Sequence, residues 1–510
     1  MEVKPMTGAE RTLATVALAA ASFMVILDTS IANVAIPGIS GELGVSPSQG
    51  TWVITSFAVS NAIAVPLTGW LARRFGEVRL FALSTLLFTL ASWGCGLATS
   101  MPMLIAFRVL QGAVAGPMMP LSQTLLLGIH PPEKRGMALS LWALTTLIAP
   151  ITGPILGGWI TDNLRWSWIF YINVPIGLVC AYAVWGRLRS RESKIVKLPI
   201  DAIGLALLAI GVGSLQIMLD KGGELDWFNS STIATLAVVA AFALSLLVVW
   251  ELTEKNPVVD LHLFLQRNFT AAAIATSAAY LVFFGTIVLL PLWLQTQLAY
   301  TPTWAGLVLA PTGLLAIAFT PVIGKNINRL DPRQLATFGF AVFAACAFLR
   351  AHYNSGADFV TLALPQLIQG VAVACFFVPL TSIALSGMPA NQIASASGLF
   401  NFLRILAGGI GTSIATTMWD RREALHHAHL TERITAFSPL ADQAVAQLQA
   451  QGLGATQSYG FIERAITNQA YTLATTDMSW IAGWIFLALI PLLWLAKPPF
   501  GMPGGVAPAE

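Results

Sequence analysis

The chain has 510 residues, of which only 10% are charged while 56% are hydrophobic. A soluble domain carries roughly 25% charge and 45–50% apolar residues, so this composition excludes a soluble enzyme, a disordered chain and a nucleic-acid binder of the usual basic kind. The net charge of +3 is too small to call for a polyanionic partner, and no nucleic acid is expected.

About a dozen polar residues open the chain, and an apolar run then extends from Leu13 to Ile36. That run is too long for a signal-peptide core and lacks a small-residue cleavage site, so it is expected to stay as a spanning helix. A hydrocarbon core about 30 Å thick takes about 20 helical residues. On that measure, spans fall near 13–36, 50–70, 80–99, 103–127, 137–161, 168–186, 202–219 and 232–251, and then near 270–292, 304–324, 335–351, 361–386, 396–419 and 478–496. The four cysteines, Cys95, Cys180, Cys346 and Cys375, lie within apolar runs with no CxxC pair. They read as small buried hydrophobes, so neither a disulfide framework nor a metal site is expected.

Fourteen spans place both termini on one side. With the termini inside, eighteen of the 27 basic residues fall in inner loops and tails and seven on the outer side, while Arg108 and Arg404 fall within spans. The excess of inner Lys and Arg predicts cytoplasmic termini. An internal repeat runs through this pattern. RVLQGAVAGPMMPLSQT from Arg108 is echoed by QLIQGVAVACFFVPLTS from Gln366, and GWLARRFGEVRL from Gly69 by GKNINRLDPRQL from Gly324. Pro37 followed by Trp52 matches Pro291 followed by Trp304. The expected architecture is an all-α polytopic membrane protein of two six-helix bundles, at 1–190 and 266–510, joined by a linker at 191–265 with two additional transmembrane helices.

Only Asp28, Arg108 and Arg404 are charged well inside these spans, and charges there are costly unless they face a cavity or a partner. Asp28 lies ~13 Å and Arg108 ~9 Å from the outer ends of their helices at 1.5 Å per residue, so the two can pair. A partly desolvated carboxylate beside an arginine feels opposing influences on its protonation, which opening and closing of a cavity can switch. That is the chemistry of proton coupling; a static buried ion pair is the other reading. The repeat sets Val282 opposite Asp28 and Gln366 opposite Arg108, so the coupling chemistry is expected on the N-terminal half alone. Arg404 attracts anionic or weakly acidic substrates, or screens Asp28, or holds neighbouring helices through their carbonyls; these readings stay open. By depth, Asn33, Trp142, Tyr280, Phe283, Phe284, Phe400 and Asn401 are candidates, with Arg404, to line a substrate cavity.

Several motifs carry a family resemblance. GWLARRFGEVRL resembles the basic loop between the second and third helices of the major facilitator superfamily, and RVLQG its fourth-helix motif. APITGPILGG from Ala149 is similar to the fifth-helix signature of drug:proton antiporters. LDTSIANVAIP from Leu27 and WSWIFYINVPIG from Trp166 resemble first- and sixth-helix motifs of the fourteen-span drug exporters. The resemblance covers nearly the whole chain. It implies the major facilitator fold and a multi-pass transporter of the inner membrane of a Gram-negative bacterium, not an enzyme. The expected activity is proton-coupled antiport that exports hydrophobic toxic compounds, giving multidrug efflux and antibiotic resistance. The proton gradient drives it with no cofactor, as the inner part of a tripartite pump with a periplasmic membrane-fusion adaptor and an outer-membrane channel. A dedicated exporter of a single metabolite or siderophore-like compound is the alternative. No GxxxxGK[ST] motif occurs, so ATP is not expected as the energy source.

The resemblance further implies that Pro150, Gly153, Pro154, Gly157 and Gly158 form a gating helix. In physical terms, the glycines permit a close helix approach and the prolines a bend, which also suits a plain packing seam. The basic loop, with Gly69, Arg73, Arg74, Gly76 and Arg79, departs from the family pattern. Arg73 stands where an aspartate is usual, so the usual ionic latch cannot be carried over, and Glu77 is the nearby acid that could partly replace it. Between about 420 and 477 the chain turns polar, with spacing that suggests short amphipathic helices at the outer face. His426, His427 and His429 there read as a solvated cluster rather than a metal site, and this long loop is the candidate adaptor contact.

Overall fold

The protein is seen in a computed structural model that describes residue 6 and residues 8–500, apart from 46, 197, 198, 200, 224, 256, 328, 390, 391, 433 and 435–437. At some helical positions, Pro150 and Pro154 among them, only the backbone is described, so the side chains of these two candidates lie outside the described set. All regular structure among the described residues is helical. The first bundle comprises α1 (Gly8–Glu42), a short α2 (Pro47–Gly50), α3 (Trp52–Ala64), α4 (Thr68–Phe75), α5 (Glu77–Gly96), α6 (Met101–Ala115), α7 (Met118–Ile129), α8 (Pro132–Asn163), α9 (Trp168–Tyr171) and α10 (Asn173–Leu188). Next come α11 (Ala202–Gly222) and α12 (Ser231–Thr253). The second bundle comprises α13 (Arg267–Thr296), α14 (Pro302–Leu309), α15 (Pro311–Asn326), α16 (Pro332–Arg350), α17 (Phe359–Ala384), α18 (Ile393–Thr431), α19 (Pro439–Ala450) and α20 (Ala455–Leu493).

Twelve of the resulting spans are long and apolar enough to cross a membrane, and the bent pair α3–α4 brings a thirteenth. Helix α8, 32 residues long, takes the remaining place in the expected fourteen. Two spans are broken at proline: α3 and α4 meet at 63° around Pro66, and α6 gives way to α7 at Gly116-Pro117. A proline ring cannot donate to the preceding turn and clashes with it, which is why the helix is interrupted at both places.

The repeat is also a repeat of packing. In the first half α1 packs on α8 and α10, α5 on α6 and α10, and α3 on α6; in the second, α13 packs on α18 and α20, α16 on α17 and α20, and α15 on α17. Small residues set the closest approaches. A Cβ on Gly157 would lie 3.2 Å from Ile31 of α1, and one on Gly153 would run into the Ser30 side chain. In the matching pair, a Cβ on Gly285 would lie 3.1 Å from the Gly411 carbonyl, and one on Gly411 would meet the Leu281 backbone.

The two bundles close on each other at the face that holds the termini. Gly69 of α4 sits against Ser395 of α18, and Gly398 lies where a Cβ would be 3.4 Å from the Val65 carbonyl. Across the pseudo-twofold, Gly136 of α8 sits against the Gly324 carbonyl and Ile327. The inserted α11 lies between the bundles, packed on α3 and α18. Lys221 Nζ donates to Thr51 Oγ1 at 2.8 Å, and Ser413 Oγ to the Leu219 carbonyl at 2.8 Å. Helix α12 packs chiefly on α11 and leaves Val238, Phe242 and Val249 bare, as a lipid-facing helix does.

The polar stretch at 420–477 is not a loop with short helices alone. Helices α18 and α20 run through most of it, each 39 residues and so ~58 Å long, well beyond the apolar core. His426 bonds Asp477 at 2.8 Å and His427 bonds Glu463 at 2.9 Å, so two of the three histidines tie the helices together. No cluster of three or more metal-ligating side chains occurs among the described residues.

The glycine contacts at the terminus face are testable. A Gly136→Val substitution is expected to force apart α8 and α15 and with them the pseudo-symmetric contact of α4 with α18. A cysteine replacing buried Thr68, in a background lacking the four native cysteines, should then alkylate several-fold faster. An unchanged alkylation rate would mean that the two contacts do not open together.

Candidate functional site

Asp28, midway along α1, is 2% exposed, and Arg108 on α6 is fully buried. Arg108 Nη1 donates to Asp28 Oδ2 at 2.5 Å. The other carboxylate oxygen accepts from Gln111 Nε2 at 3.1 Å and from Asn173 Nδ2 at 2.8 Å. Arg108 and Gln111 are one helical turn apart and so share a face. Asn173 opens α10, where the break after α9 brings its amide inward. The arginine is itself held: Nε donates to the Val53 carbonyl at 2.8 Å, Nη1 to Gln111 Oε1 at 2.7 Å, and its charge lies 4.4 Å from the Phe57 ring centre. Asn173 also donates to Ser92 Oγ at 3.0 Å, and Cys95 borders the site, 3.7 Å from Gln111 Oε1.

Each of these three contacts is a donor aimed at the Asp28 carboxylate. Arg108 Nη2 and Asn173 Oδ1 have no partner. Gln111 and Asn173 are uncharged and escape a search for deep charges, although each lies inside a motif read above, RVLQG and WSWIFYINVPIG. In the second half the corresponding Val282 is a buried hydrophobe, and Gln366 and Gln369 stand on α17.

A second group of candidates meets at the seam between the bundles. Trp142 of α8 is buried and donates to Ser122 Oγ at 2.7 Å; its ring packs 5.8 Å from Phe377 of α17. The Arg404 guanidinium lies 4.9 Å from the Phe377 ring centre and 5.1 Å from that of Tyr280. Tyr280 stacks on Phe284 at 5.4 Å and meets Phe283 edge-on at 6.4 Å. Asn401 Nδ2 bridges the bundles to Gln123 Oε1 at 2.9 Å. Arg404, Tyr280, Phe377 and Phe400 pack together and leave no room between them for a ligand. Five buried polar atoms here lack a partner: Arg404 Nη1, Gln123 Nε2, Asn401 Oδ1, Thr276 Oγ1 and Ser397 Oγ. Asn33 stands apart from this group, exposed toward the far end of α1.

The remaining candidates need three corrections. Gly158 has nothing within 4 Å of an added Cβ, so unlike Gly153 and Gly157 it makes no close helix contact. The partner of the basic loop is Glu192 rather than Glu77. Glu192 accepts from the Val78 and Arg79 amides at 2.9 Å each, capping α5, and Ser193 accepts from the Glu77 amide at 3.0 Å. Gly76 at φ +89° supplies the turn that lets Glu192 approach, and the Val196 amide bonds the Arg73 carbonyl at 2.8 Å. The set of buried charges is also larger than hydropathy suggests. Arg350, Lys221 and Glu251 are at most 7% exposed, because α16, α11 and α12 carry them to their ends against packed neighbours.

The comparisons with known proteins agree with this architecture. The family model of the Major Facilitator Superfamily matches residues 18–412. The chain is 55% identical over 503 residues to the multidrug export protein EmrB of Escherichia coli K12, covering 98% of both. It is 50% identical to the fatty acid resistance protein FarB of Neisseria gonorrhoeae, covering 99% of this chain and all of that one. Among solved structures, the proton:xylose symporter XylE superposes with a TM-score of 0.60 at 14% identity over 95% of each chain, a likeness of fold alone. Bundle duplication, helix order and these matches together show that the chain belongs to the Major Facilitator Superfamily of membrane transporters.

Proposed function

We propose that the protein is a proton-coupled antiporter that exports hydrophobic toxic compounds, weak acids among them, across the inner membrane, with both termini in the cytoplasm. The observation that carries the reading is the buried Asp28 carboxylate on Arg108, Gln111 and Asn173. The names of the relatives, a multidrug export protein and a fatty acid resistance protein, support the substrate class.

In this reading the glycine contacts at the terminus face close the cytoplasmic side. A proton arriving at Asp28 from the periplasmic side neutralises the carboxylate, and Arg108 loses its counter-charge. The cost of leaving that guanidinium buried favours the rearrangement that brings Asp28 to the cytoplasmic side, where the proton leaves. Asp28 is the proton carrier and Arg108 tunes it. The α8–α1 seam at Gly153 and Gly157, with Pro150 and Pro154, is the gate that limits leak. Trp142, Tyr280, Phe283, Phe284, Phe400 and Asn401 separate with the bundles to expose a mainly apolar surface, on which Arg404 receives an acidic group. The projecting ends of α18 and α20 offer the surface for a periplasmic adaptor, which would lead to an outer-membrane channel. A dedicated exporter of one acidic metabolite is the second reading, favoured by the unpaired Nη1 of the buried Arg404.

In everted vesicles Asp28→Asn is expected to reduce drug efflux driven by a pH gradient to the level of vesicles lacking the protein, while the variant still runs as a folded monodisperse species. Undiminished efflux would remove Asp28 from the coupling step. Arg404→Ala is expected to weaken transport of carboxylate compounds by ~10-fold, about 1.4 kcal/mol, and that of cations much less. An equal loss for both would assign Arg404 a structural role. Deleting 424–470 is expected to abolish co-purification of the adaptor from cells; normal co-purification with a folded transporter would place the contact elsewhere.

A further inference from the structure

A pair of acids lies at the terminus face, where the inserted helices α11 and α12 meet. Asp201 caps α11: its Oδ1 accepts from the Gly204 amide at 2.8 Å and from Trp250 Nε1 of α12 at 2.9 Å. Glu251, in the last turn of α12, is fully buried, and its Oε2 accepts from the Val259 amide at 3.3 Å. Each carboxyl therefore has one oxygen met by donors. The other two oxygens, Asp201 Oδ2 and Glu251 Oε1, are buried and have no hydrogen-bond partner.

Those two bare oxygens converge. A Cβ on Gly204 would run into Asp201 Oδ2 and lie 2.8 Å from Glu251 Oε1, so both oxygens border the spot that the absent side chain leaves open. Glycine at the third residue of α11 is what lets the two acids approach. The ionisable groups acting on Glu251 are Asp201 and Glu254, both acids. Asp260 and His262, at the start of the 3-10 turn that packs on α12, are paired with each other at 3.5 Å. The N-terminus of α11 gives Asp201 the positive end of a helix dipole, which favours one negative charge at this place but not two facing each other.

We propose that Asp201 and Glu251 share one proton, held between Oδ2 and Oε1, and so form a proton-binding site distinct from Asp28. An acceptor facing an acceptor in a desolvated place is repulsive. One proton turns the same approach into a charge-assisted O–H···O⁻ bond, among the strongest open to side chains. It also leaves a single negative charge for the α11 N-terminus, the Trp250 indole and the Val259 amide to stabilise. Two carboxyls in contact hold a proton jointly because both cannot ionise together. The bond joins the start of α11 to the end of α12, and the Val259 amide ties it to the segment that leads into α13. Removing the proton sets two buried charges against each other and separates α11 from α12 at this end, where α11 lies between the bundles.

Infrared spectra of the purified full-length protein at about pH 7, where an exposed carboxyl is ionised, test this without reference to transport, so the outcome is independent of the proton-coupling reading. Expected is the carbonyl-stretch band of a protonated buried carboxylic acid, moved to lower frequency in heavy water. Glu251→Gln and Asp201→Asn should each lose this band, because each replaces the shared proton by an amide donor, and Asp28→Asn should keep it. Either variant carries the net charge of the one-proton pair and keeps a bond between the two side chains, so both are expected to fold, and one folded variant suffices. The proposal is overturned if the wild type shows no such band, if a folded Glu251→Gln or Asp201→Asn keeps it at full intensity, or if Asp28→Asn loses it. It is also overturned if sodium, calcium or magnesium chloride raises the thermal unfolding midpoint of the wild type above that in choline chloride at equal ionic strength and Glu251→Gln abolishes the rise, which places a metal cation between the oxygens.

Discussion

Everything in this molecule is arranged around the cost of charge in hydrocarbon. An isolated charged side chain at the centre of a spanning helix costs about 2.5–3.5 kcal/mol even on the mildest scale. At Asp28 that cost is offset by three side chains from two other helices, Arg108, Gln111 and Asn173. The geometry requires α1, α6 and α10 to meet at one depth. Three neighbouring features serve that meeting: the break after α9 that turns Asn173 inward, the Val53 carbonyl that anchors Arg108, and the glycines that let α8 lie close on α1.

The same constraint explains why the two halves share a scaffold but not a chemistry. Helix pairs recur one for one across the repeat, and both halves use small residues where the first helix of the bundle meets the fifth. Apolar packing of this kind tolerates substitution as long as volume is kept, whereas a buried ion pair requires all of its partners at once. Replacing Asp28 by valine at the matching position therefore leaves the second bundle packed, while Gln366 there meets Tyr353 instead of a carboxylate. Arg404, at the seam, is held instead by the faces of Tyr280 and Phe377, an arrangement that stabilises a cation without tying it to one counter-charge.

Much of this was legible in the residues. Hydropathy yields the spans because a membrane helix must satisfy its own backbone, and charge scarcity makes Asp28 and Arg108 stand out. Where reading failed, the reason lies in geometry that composition does not encode. Arg350 reads as an outer-loop residue because it follows the last apolar residue of its span, yet α16 is held against α17 to its end and buries it. Glu192 lies far from the basic loop in sequence and reaches it only because the chain after α10 turns back beneath α5. Gly158 looks like its neighbours Gly153 and Gly157, but a helix presents only one stripe to a partner, and position 158 falls outside it. The polar stretch after 420 suggested short helices, since polarity marks the end of the membrane; it does not mark the end of a helix, and α18 and α20 simply continue.

The cluster at the seam gains its meaning from what it lacks. Buried polar atoms in a finished core nearly always have partners, yet five around Arg404 do not, and they lie where two bundles meet rather than inside either one. The Asn401–Gln123 bond joins the two bundles here, and each of its members retains an unpaired atom. A surface built to stay closed would be expected to pair these atoms or replace them with apolar ones, either of which is more stable. Aromatic faces and unpaired donors and acceptors, brought together with no room for a ligand, suit one end of the proposed transport cycle. On that proposal the polar atoms left unpaired here are the ones that become available when the bundles separate, and their desolvation is the cost of having a second state.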